Sequence, residues 1–318
     1  MKVLISDYPE LFHKDCVIQA AELGLRCPKW DILQYSFDGD TEELKMLLRE
    51  ADALITGFLP LNDELLSCMK PGSCISVTAK GYDNIDISSA IKHHISVMAI
   101  EEYCTEEVSE HTFALILGLA RCLKMPGIEN EEDFRTLQGH KIGIFGYGKI
   151  GRRTAQIADA FGMKIAVYHP HINEKEDNRF YTDADTIFHE CDVISNHMSA
   201  NQENYHFFNE AAFAKIQKRP LFINCGRGET VDTPSLIHAL DCGIVSGAGL
   251  DVLEGEWMSS ADKQNLAERA NVILTPHIAF ASKESLKKLH KIPVDNVIFF
   301  LNKEYERITS FVPGAYQC

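Results

Sequence analysis

The sequence predicts an α/β protein made of two doubly wound, parallel-sheet lobes. Three observations carry the prediction. Short apolar runs alternate with stretches of helical period along most of the chain; one such unit carries a glycine-rich turn between strand and helix; and three later strand-like runs each end in a charged or polar motif. Alternating β and α units imply a parallel sheet covered on both faces, and two sets of units imply two such sheets.

Residues 2–6 (KVLIS) open as a strand, and further strand runs fall at Ala53–Phe58, Cys74–Thr78 and Ile95–Ala99. Helical stretches lie between them, around Thr41–Arg49, Asn62–Met69 and Ile87–Lys92. Thr105–Leu123 reads as a long helix, with Thr105 placed to cap it and Glu106 and Glu107 where carboxylates favour the helix dipole. Later strands are Asp192–Asn196, Pro220–Asn224, Ser246–Val252 and Val272–Thr275. Ser235–Cys242 is a helix stopped by Gly243, and Ser282 starts a final long helix to about Asn302.

The organising stretch is Lys141–Pro170, KIGIFGYGKIGRRTAQIADAFGMKIAVYHP. Lys141–Phe145 suits a buried strand, Gly146, Gly148 and Gly151 make G-x-G-x-x-G, Arg152–Phe161 has helical spacing, and Lys164–Tyr168 is a second strand. That context fits a dinucleotide-binding turn. Its glycines permit the tight turn, the approach of backbone to a pyrophosphate and close helix–strand packing, while the helix N-terminus offers N–H groups to phosphate. The acidic residue expected about twenty positions on to hold the ribose of NAD is missing. The second strand ends in Tyr168-His169-Pro170-His171 instead. His169, His171 or Lys175 suits a 2′-phosphate, or His169 bonds a ribose hydroxyl as neutral imidazole, so NAD and NADP both stay open.

At 318 residues the chain can bury a large core, and its net charge of −15 argues against a nucleic-acid partner. With no apolar run near eighteen residues and no signal-peptide pattern in MKVLISDY, a cytoplasmic protein off the membrane is expected. Ten scattered cysteines without a C-x-x-C pair read as reduced thiols, and His93-His94 and His169-His171 lack the carboxylate company that a metal site needs. No metal is expected.

Three motifs carry chemistry. Asn224-Cys225-Gly226-Arg227-Gly228, Gly249-Leu250-Asp251-Val252 with Glu254 and Glu256 beyond it, and Thr275-Pro276-His277 all end strands, where ligands bind in open α/β sheets. An arginine, a carboxylate and a histidine beside a dinucleotide site suit hydride transfer. The arginine binds an anionic carbonyl substrate, the histidine moves a proton, and the carboxylate sets its pKa and tautomer. Singly, each has a plainer reading as a surface or loop residue. His111, on the face of the long helix, reads as structural.

Taken together, these motifs resemble the D-isomer-specific 2-hydroxyacid dehydrogenase family over most of the chain. The likeness is carried by GYGKIGRRTAQIADAFGM, INCGRGETVD, GAGLDVLEGE and TPHIA, with GYDNID at 81–86 and EEYCTEEVSEH at 101–111. It implies a flavodoxin-like substrate lobe of residues 1–99 plus 285–318 and a Rossmann cofactor lobe of residues 100–284. It implies that Arg227 binds substrate, that Glu256 rather than Glu254 is the carboxylate, and that His277 is the acid/base. Gly146, Gly148, Lys149, Ile150, Gly151, His169, Cys225 and Gly226 would meet the cofactor, with Asp251 at its nicotinamide end. Thr78, Ala79, Lys80 and Gly81 would meet the substrate carboxylate. A homodimer is implied as well.

The chain departs from the family pattern in several places. Ala79-Lys80-Gly81 stands for Gly-Val-Gly, so Lys80 either meets a charged substituent or points to solvent. Ala99 and Glu101 replace the usual Asn and Pro, His197-Met198-Ser199-Ala200 replaces a proline-containing run, Trp257 replaces a proline, and Arg121–Gly139 is about ten residues short in the region that builds the dimer contact. The reading is NADH- or NADPH-linked reduction of a small 2-keto acid (glyoxylate, hydroxypyruvate, pyruvate or 3-phosphohydroxypyruvate) to a D-2-hydroxy acid. The rivals are an NAD(H)-sensing corepressor-like binding protein on the same fold and a dehydrogenase of formate or phosphite.

Overall fold

The computed structural model describes residues 1–124, 134–168, 180–255, 261–308 and 310–315. The chain divides into two compact units, Met1–Tyr103 with Ser282–Cys318, and Cys104–Ala281. The first unit contains β1 (Lys2–Asp7), α1 (Pro9–Leu11), a π-helical stretch (Phe12–Cys16), α2 (Val17–Arg26), β2 (Asp31–Ser36), α3 (Thr41–Glu50), β3 (Ala53–Thr56), α4 (Asp63–Leu66), β4 (Cys74–Val77), α5 (Ile87–Lys92) and β5 (Ser96–Met98). The second contains α6 (Thr105–Ala120), β6 (Lys141–Phe145), α7 (Lys149–Ala160), β7 (Lys164–Tyr168), β8 (Phe180–Tyr181), α8 (Ala184–Glu190), β9 (Val193–Asn196), α9 (Glu210–Phe213), β10 (Leu221–Asn224), α10 (Thr233–Asp241), β11 (Gly247–Leu250), α11 (Ala261–Glu268) and β12 (Val272–Leu274). The chain then returns to the first unit as α12 (Lys283–Leu301).

Both sheets are parallel. The first runs β2-β1-β3-β4-β5 and reverses direction of growth between β1 and β3, which is the flavodoxin-like order. The second runs β12-β11-β10-β9-β6-β7-β8 and reverses between β6 and β9, the doubly wound dinucleotide-binding order with an added edge strand. Their central strands are apolar on both faces because helices cover both. In β1, Val3 and Ile5 pack with Leu23, Val294 and Val297 on one side, while Leu4 packs with Leu44 and Leu48 on the other. The second unit has an aromatic centre: Phe145 lies 5.0 to 5.6 Å from the rings of Tyr168, Phe188, Phe207 and Phe208.

Three local features differ from the sequence pattern. The pattern did not single out α2 or β2. β2 is an edge strand with no fully buried residue, so it lacks the apolar run of a central strand. Thr105 does not cap α6: it is the first helical residue, and Cys104 at the N-cap makes no capping bond to the first turn. The same helix ends at Ala120, short of Leu123, because Cys122 enters the left-handed region at φ +51°. There Leu123 N–H bonds Gly118 O at 2.8 Å and Cys122 N–H bonds Leu119 O at 3.1 Å, a Schellman closure that satisfies the last carbonyls. Ser282 does open α12, with a reciprocal capping box to Ser285.

Pro293 lies inside α12 and brings no N–H for the carbonyl of Leu289. Buried Gln19 of α2 makes up the loss: its Nε2 donates to Leu289 O at 3.2 Å and to Thr78 Oγ1 at 3.1 Å. Gln19→Leu is therefore expected to cost about 1–3 kcal/mol in urea unfolding by stranding buried acceptors. Pro293→Ala in that background should recover part of the loss, because an alanine restores the helical donor; a double-mutant cycle with no coupling would disprove the link.

Candidate active site

The carboxyl edge of the second sheet gathers the sequence motifs. Beyond the strands the backbone ladder continues: Asp251 N–H bonds Asn224 O at 3.0 Å, Thr275 N–H bonds Leu250 O at 2.9 Å, and His277 N–H bonds Asp251 O at 2.9 Å. The ends of β10, β11 and β12, which carry Arg227, Asp251 and His277, are thereby held in fixed register.

At the reversal between β6 and β9 lies the glycine turn. Gly146 adopts φ +85°, and a Cβ there would stand 2.7–2.8 Å from the His197–Met198 backbone that follows β9. A Cβ on Gly151 would stand 2.1 Å from Gly146 O, so α7 packs too closely on the turn for any side chain. At Gly148 a Cβ would meet nothing within 4 Å, and as N-cap of α7 this residue supplies no side-chain bond to the first turn, formed by Lys149, Ile150 and Gly151. An open, uncapped helix N-terminus beside a glycine turn fits a pyrophosphate. Next to it, burial pushes the His197 ring from its ordinary 6.5 down to about 4. Its Nε2 lies 2.9 Å from Ser195 Oγ, and its Nδ1 is buried without a partner among the described residues.

Arg227 stands on a turn set by a buried polar network. Asn196 Nδ2 donates to Asn224 Oδ1 at 2.9 Å and to Thr230 Oγ1 at 2.8 Å, and Gly226 N–H donates to Asn224 Oδ1 at 3.1 Å. Asn224 Nδ2 and Thr230 Oγ1 both donate to the Arg227 carbonyl, at 3.1 and 2.7 Å. Gly228 admits no Cβ, which would fall 2.1 Å from the Leu253 carbonyl carbon, so the arginine turn is wedged against the segment leading to Glu254. The Arg227 Nη1 donates to Gly226 O at 3.0 Å. Cys225, buried behind the turn, has its thiol pushed up to about 12 by burial, too high for a nucleophile at neutral pH.

His277 is held in an unusual backbone state, φ +50°, by Asp251. The buried Asp251 carboxylate accepts from Thr275 Oγ1 at 2.6 Å, Ile278 N–H at 2.9 Å and Ala279 N–H at 3.0 Å. His111 of α6 reaches the same cluster, with Nε2 3.0 Å from Thr275 Oγ1 and 3.6 Å from Asp251 Oδ1. Sequence reasoning singled out Arg227, Asp251 and His277. It named Thr275 only as part of the histidine motif and passed over Asn196, at the end of β9, and Thr230, in the turn after β10, whose short buried polar side chains were the available signal. Glu254, the carboxylate not chosen, bonds Tyr205 Oη at 2.6 Å and His206 Nε2 at 2.8 Å. Glu256, Trp257, His169, His171 and Lys175 lie outside the described residues, as do residues 125–133 within the shortened segment.

In the first unit, Thr78, Ala79, Lys80 and Gly81 follow β4 at the carboxyl edge of its own sheet. Thr78 is buried and bonded to Gln19, Ala79 O accepts from Ile100 N–H at 2.9 Å, and Lys80 is exposed. Asn84 of the GYDNID motif donates to Gly57 O at 3.3 Å and Leu59 O at 2.7 Å, and Asp86 caps α5, so the motif fixes the loop after β3. The Asp7 carboxyl, at the reversal between β1 and β3, accepts from Gly57 N–H at 2.6 Å, Phe58 N–H at 3.2 Å and Tyr8 N–H at 2.9 Å. Burial nevertheless raises it to about 6. Among the described residues no group of three or more His, Cys, Asp or Glu is placed to hold a metal, and no helix is long and apolar enough to cross a membrane.

A dinucleotide-type turn at a sheet reversal, with an arginine and a histidine at strand ends on the same edge, defines a nucleotide-linked oxidoreductase of doubly wound α/β architecture. Comparison with known proteins narrows the class. A family model described as "D-isomer specific 2-hydroxyacid dehydrogenase, NAD binding domain" matches residues 121–279. A glyoxylate reductase of Thermococcus litoralis is 34% identical over 281 residues, covering 81% of this chain and 82% of that protein. A glyoxylate/hydroxypyruvate reductase B of Klebsiella pneumoniae is 33% identical over 274 residues, with 81% and 84% covered. The crystal structure of a D-lactate dehydrogenase from Aquifex aeolicus, complexed with NAD and lactic acid, superposes with a TM-score of 0.86 at 31% identity over 98% of both chains. The chain belongs to the D-isomer-specific 2-hydroxyacid dehydrogenase family. It is an NAD(H)-linked enzyme that interconverts 2-keto acids and D-2-hydroxy acids.

Two measurements test this half of the site. Gly148→Ala should leave thermal stability unchanged and weaken NADH binding at least tenfold in fluorescence titration, whereas Gly151→Ala should lower both, since only the second clashes in the free protein. Equal effects of the two on stability would contradict the open cradle. For His197 the sign is fixed by its lowered value: the unfolded chain takes up a proton below about 6.5 that the folded ring refuses, so stability falls as pH drops toward 4. By pH 5 this should amount to about 2 kcal/mol, and His197→Gln should flatten the wild-type stability profile between pH 7 and 5 by that amount.

Proposed function

We propose that the chain reduces a short 2-keto acid, with glyoxylate, hydroxypyruvate or pyruvate as substrate, and that Arg227, Glu256 and His277 carry the reaction. The observation that supports this most is the shared register of Arg227 and His277 at the ends of β10 and β12, on the edge that also bears the glycine turn. Unit 2 is the cofactor lobe and unit 1 the substrate lobe. Bound NADH supplies the hydride. Arg227 pairs with the substrate carboxylate and polarises its carbonyl oxygen through a planar, bidentate fork. His277, with Glu256 as its carboxylate partner, gives a proton to that oxygen as negative charge develops. The backbone around Thr78–Gly81 receives the substrate carboxylate, and Asp251 serves the cofactor end indirectly, by fixing the histidine turn.

NAD is favoured over NADP, in keeping with the family's NAD-binding domain and the NAD-complexed relative. His169 serves as a neutral ribose contact. A homodimer in the cytoplasm completes the reading. The relatives described above are enzymes, which favours this function over a nucleotide-sensing binding protein.

Absorbance at 340 nm, followed with NADH and NADPH against a panel of 2-keto acids, tests the proposal directly. NADH oxidation with at least one of the three named acids is expected, faster than with NADPH. His277→Ala should lower kcat by about 10²- to 10⁴-fold, the usual weight of a general acid. Near-normal turnover in that variant would remove the histidine from the chemistry.

A further inference from the structure

We propose that His111 is a positioning residue for His277, acting through Thr275 and Asp251; the catalytic part of the claim rests on the role given to His277 above. The geometry specifies a directed chain of hydrogen bonds. Thr275 has one hydroxyl proton, and it is given to Asp251 Oδ1 at 2.6 Å. The 3.0 Å contact between Thr275 Oγ1 and His111 Nε2 then requires His111 to donate, which fixes the proton on Nε2. The same Nε2 lies 3.6 Å from Asp251 Oδ1, so one N–H faces both oxygens.

Asp251 is the receiving end, and its surroundings explain why the donor matters. The carboxylate is buried, with 3% of its surface exposed, and its remaining partners among the described residues are the backbone N–H groups of Ile278 and Ala279. Those two groups close the turn in which His277 sits at φ +50°, a state that is unfavourable for a residue with a Cβ and persists only when its surroundings enforce it. His111 lies on α6, which packs across β10, β11 and β12, so the helix that covers the sheet also delivers the outermost donor to the turn. A side chain without that donor leaves Thr275 free to rotate and weakens the hold on a turn that has no regular secondary structure to fall back on. Misplacing a catalytic group by about 1 Å can cost on the order of 10²-fold in rate.

The test compares His111→Leu, which loses the donor, with His111→Gln, whose Nε2 amide can replace it, each with Thr275→Val and Thr275→Ser as the second pair. Amide hydrogen exchange of residues 277–279 in the cofactor-free protein reads the turn without any reaction. Exchange should quicken at least tenfold in His111→Leu and Thr275→Val and stay within threefold of wild type in His111→Gln and Thr275→Ser. In parallel, kcat should fall about ten- to hundredfold in His111→Leu and Thr275→Val, with KM for the keto acid changed less than threefold, and stay close to wild type in His111→Gln and Thr275→Ser. If His111→Leu does not fold, Thr275→Val carries the same comparison. Unchanged exchange in both disruptive variants overturns the proposal, and so does faster exchange with unchanged kcat. A wild-type protein with no keto-acid reductase activity would fail the functional reading instead, while the exchange data would still decide whether His111 holds the turn.

Discussion

The site depends first on one buried carboxylate. An ionised group taken out of water is tolerable only if nearly every lone pair is matched. Asp251 meets that demand with donors drawn from a single five-residue stretch, Thr275 to Ala279, and those donors converge only if the chain makes a sharp turn after β12. The left-handed backbone at His277 follows from that convergence. Satisfying a charge and aiming a histidine are therefore the same structural act.

A similar logic holds the arginine. Asn196 and Asn224 are buried at strand ends and Thr230 in the turn beyond β10, and their side chains bond one another and the Arg227 carbonyl. Because such a network is costly when half satisfied, it admits one arrangement of the turn. Glycine fixes the remaining dimension: at Gly228 the backbone of the neighbouring segment comes so close that no side chain fits. Sheet, network and contact distance together leave Arg227 little freedom at its backbone, whatever its guanidinium meets.

The first unit uses the same materials at its own reversal point. Asp7 ties the end of β1 to the loop after β3, Asn84 secures that loop from the other side, and Gln19 links Thr78 to the carbonyl left open by Pro293. Burial outweighs the three N–H bonds on Asp7 and lifts its pKa to about 6. In both units the apolar strands make the platform, and a few buried polar side chains at the carboxyl edge decide where the loops go.

The sequence by itself determined the two parallel sheets, the long helices, the glycine turn and the identity of the arginine and histidine motifs. Those features are periodic or local: a strand buried on both faces must be apolar throughout, Ser282 caps α12 from three residues away, and G-x-G-x-x-G is legible within six positions. The edge strand β2 was not legible, because a half-exposed strand has no such run. Only the tertiary structure decided that Cys122 ends α6 in the left-handed region, that Asp251 spends its carboxylate on the histidine turn, and that Asn196 and Thr230 stand behind Arg227. These partners lie between 24 and 164 residues apart for the contacts that matter most, Thr275 with Asp251 and with His111. Hydrogen bonds over such separations leave no periodicity in the chain; they exist because parallel strands bring their carboxyl ends to one edge, where unsatisfied polar groups must find each other.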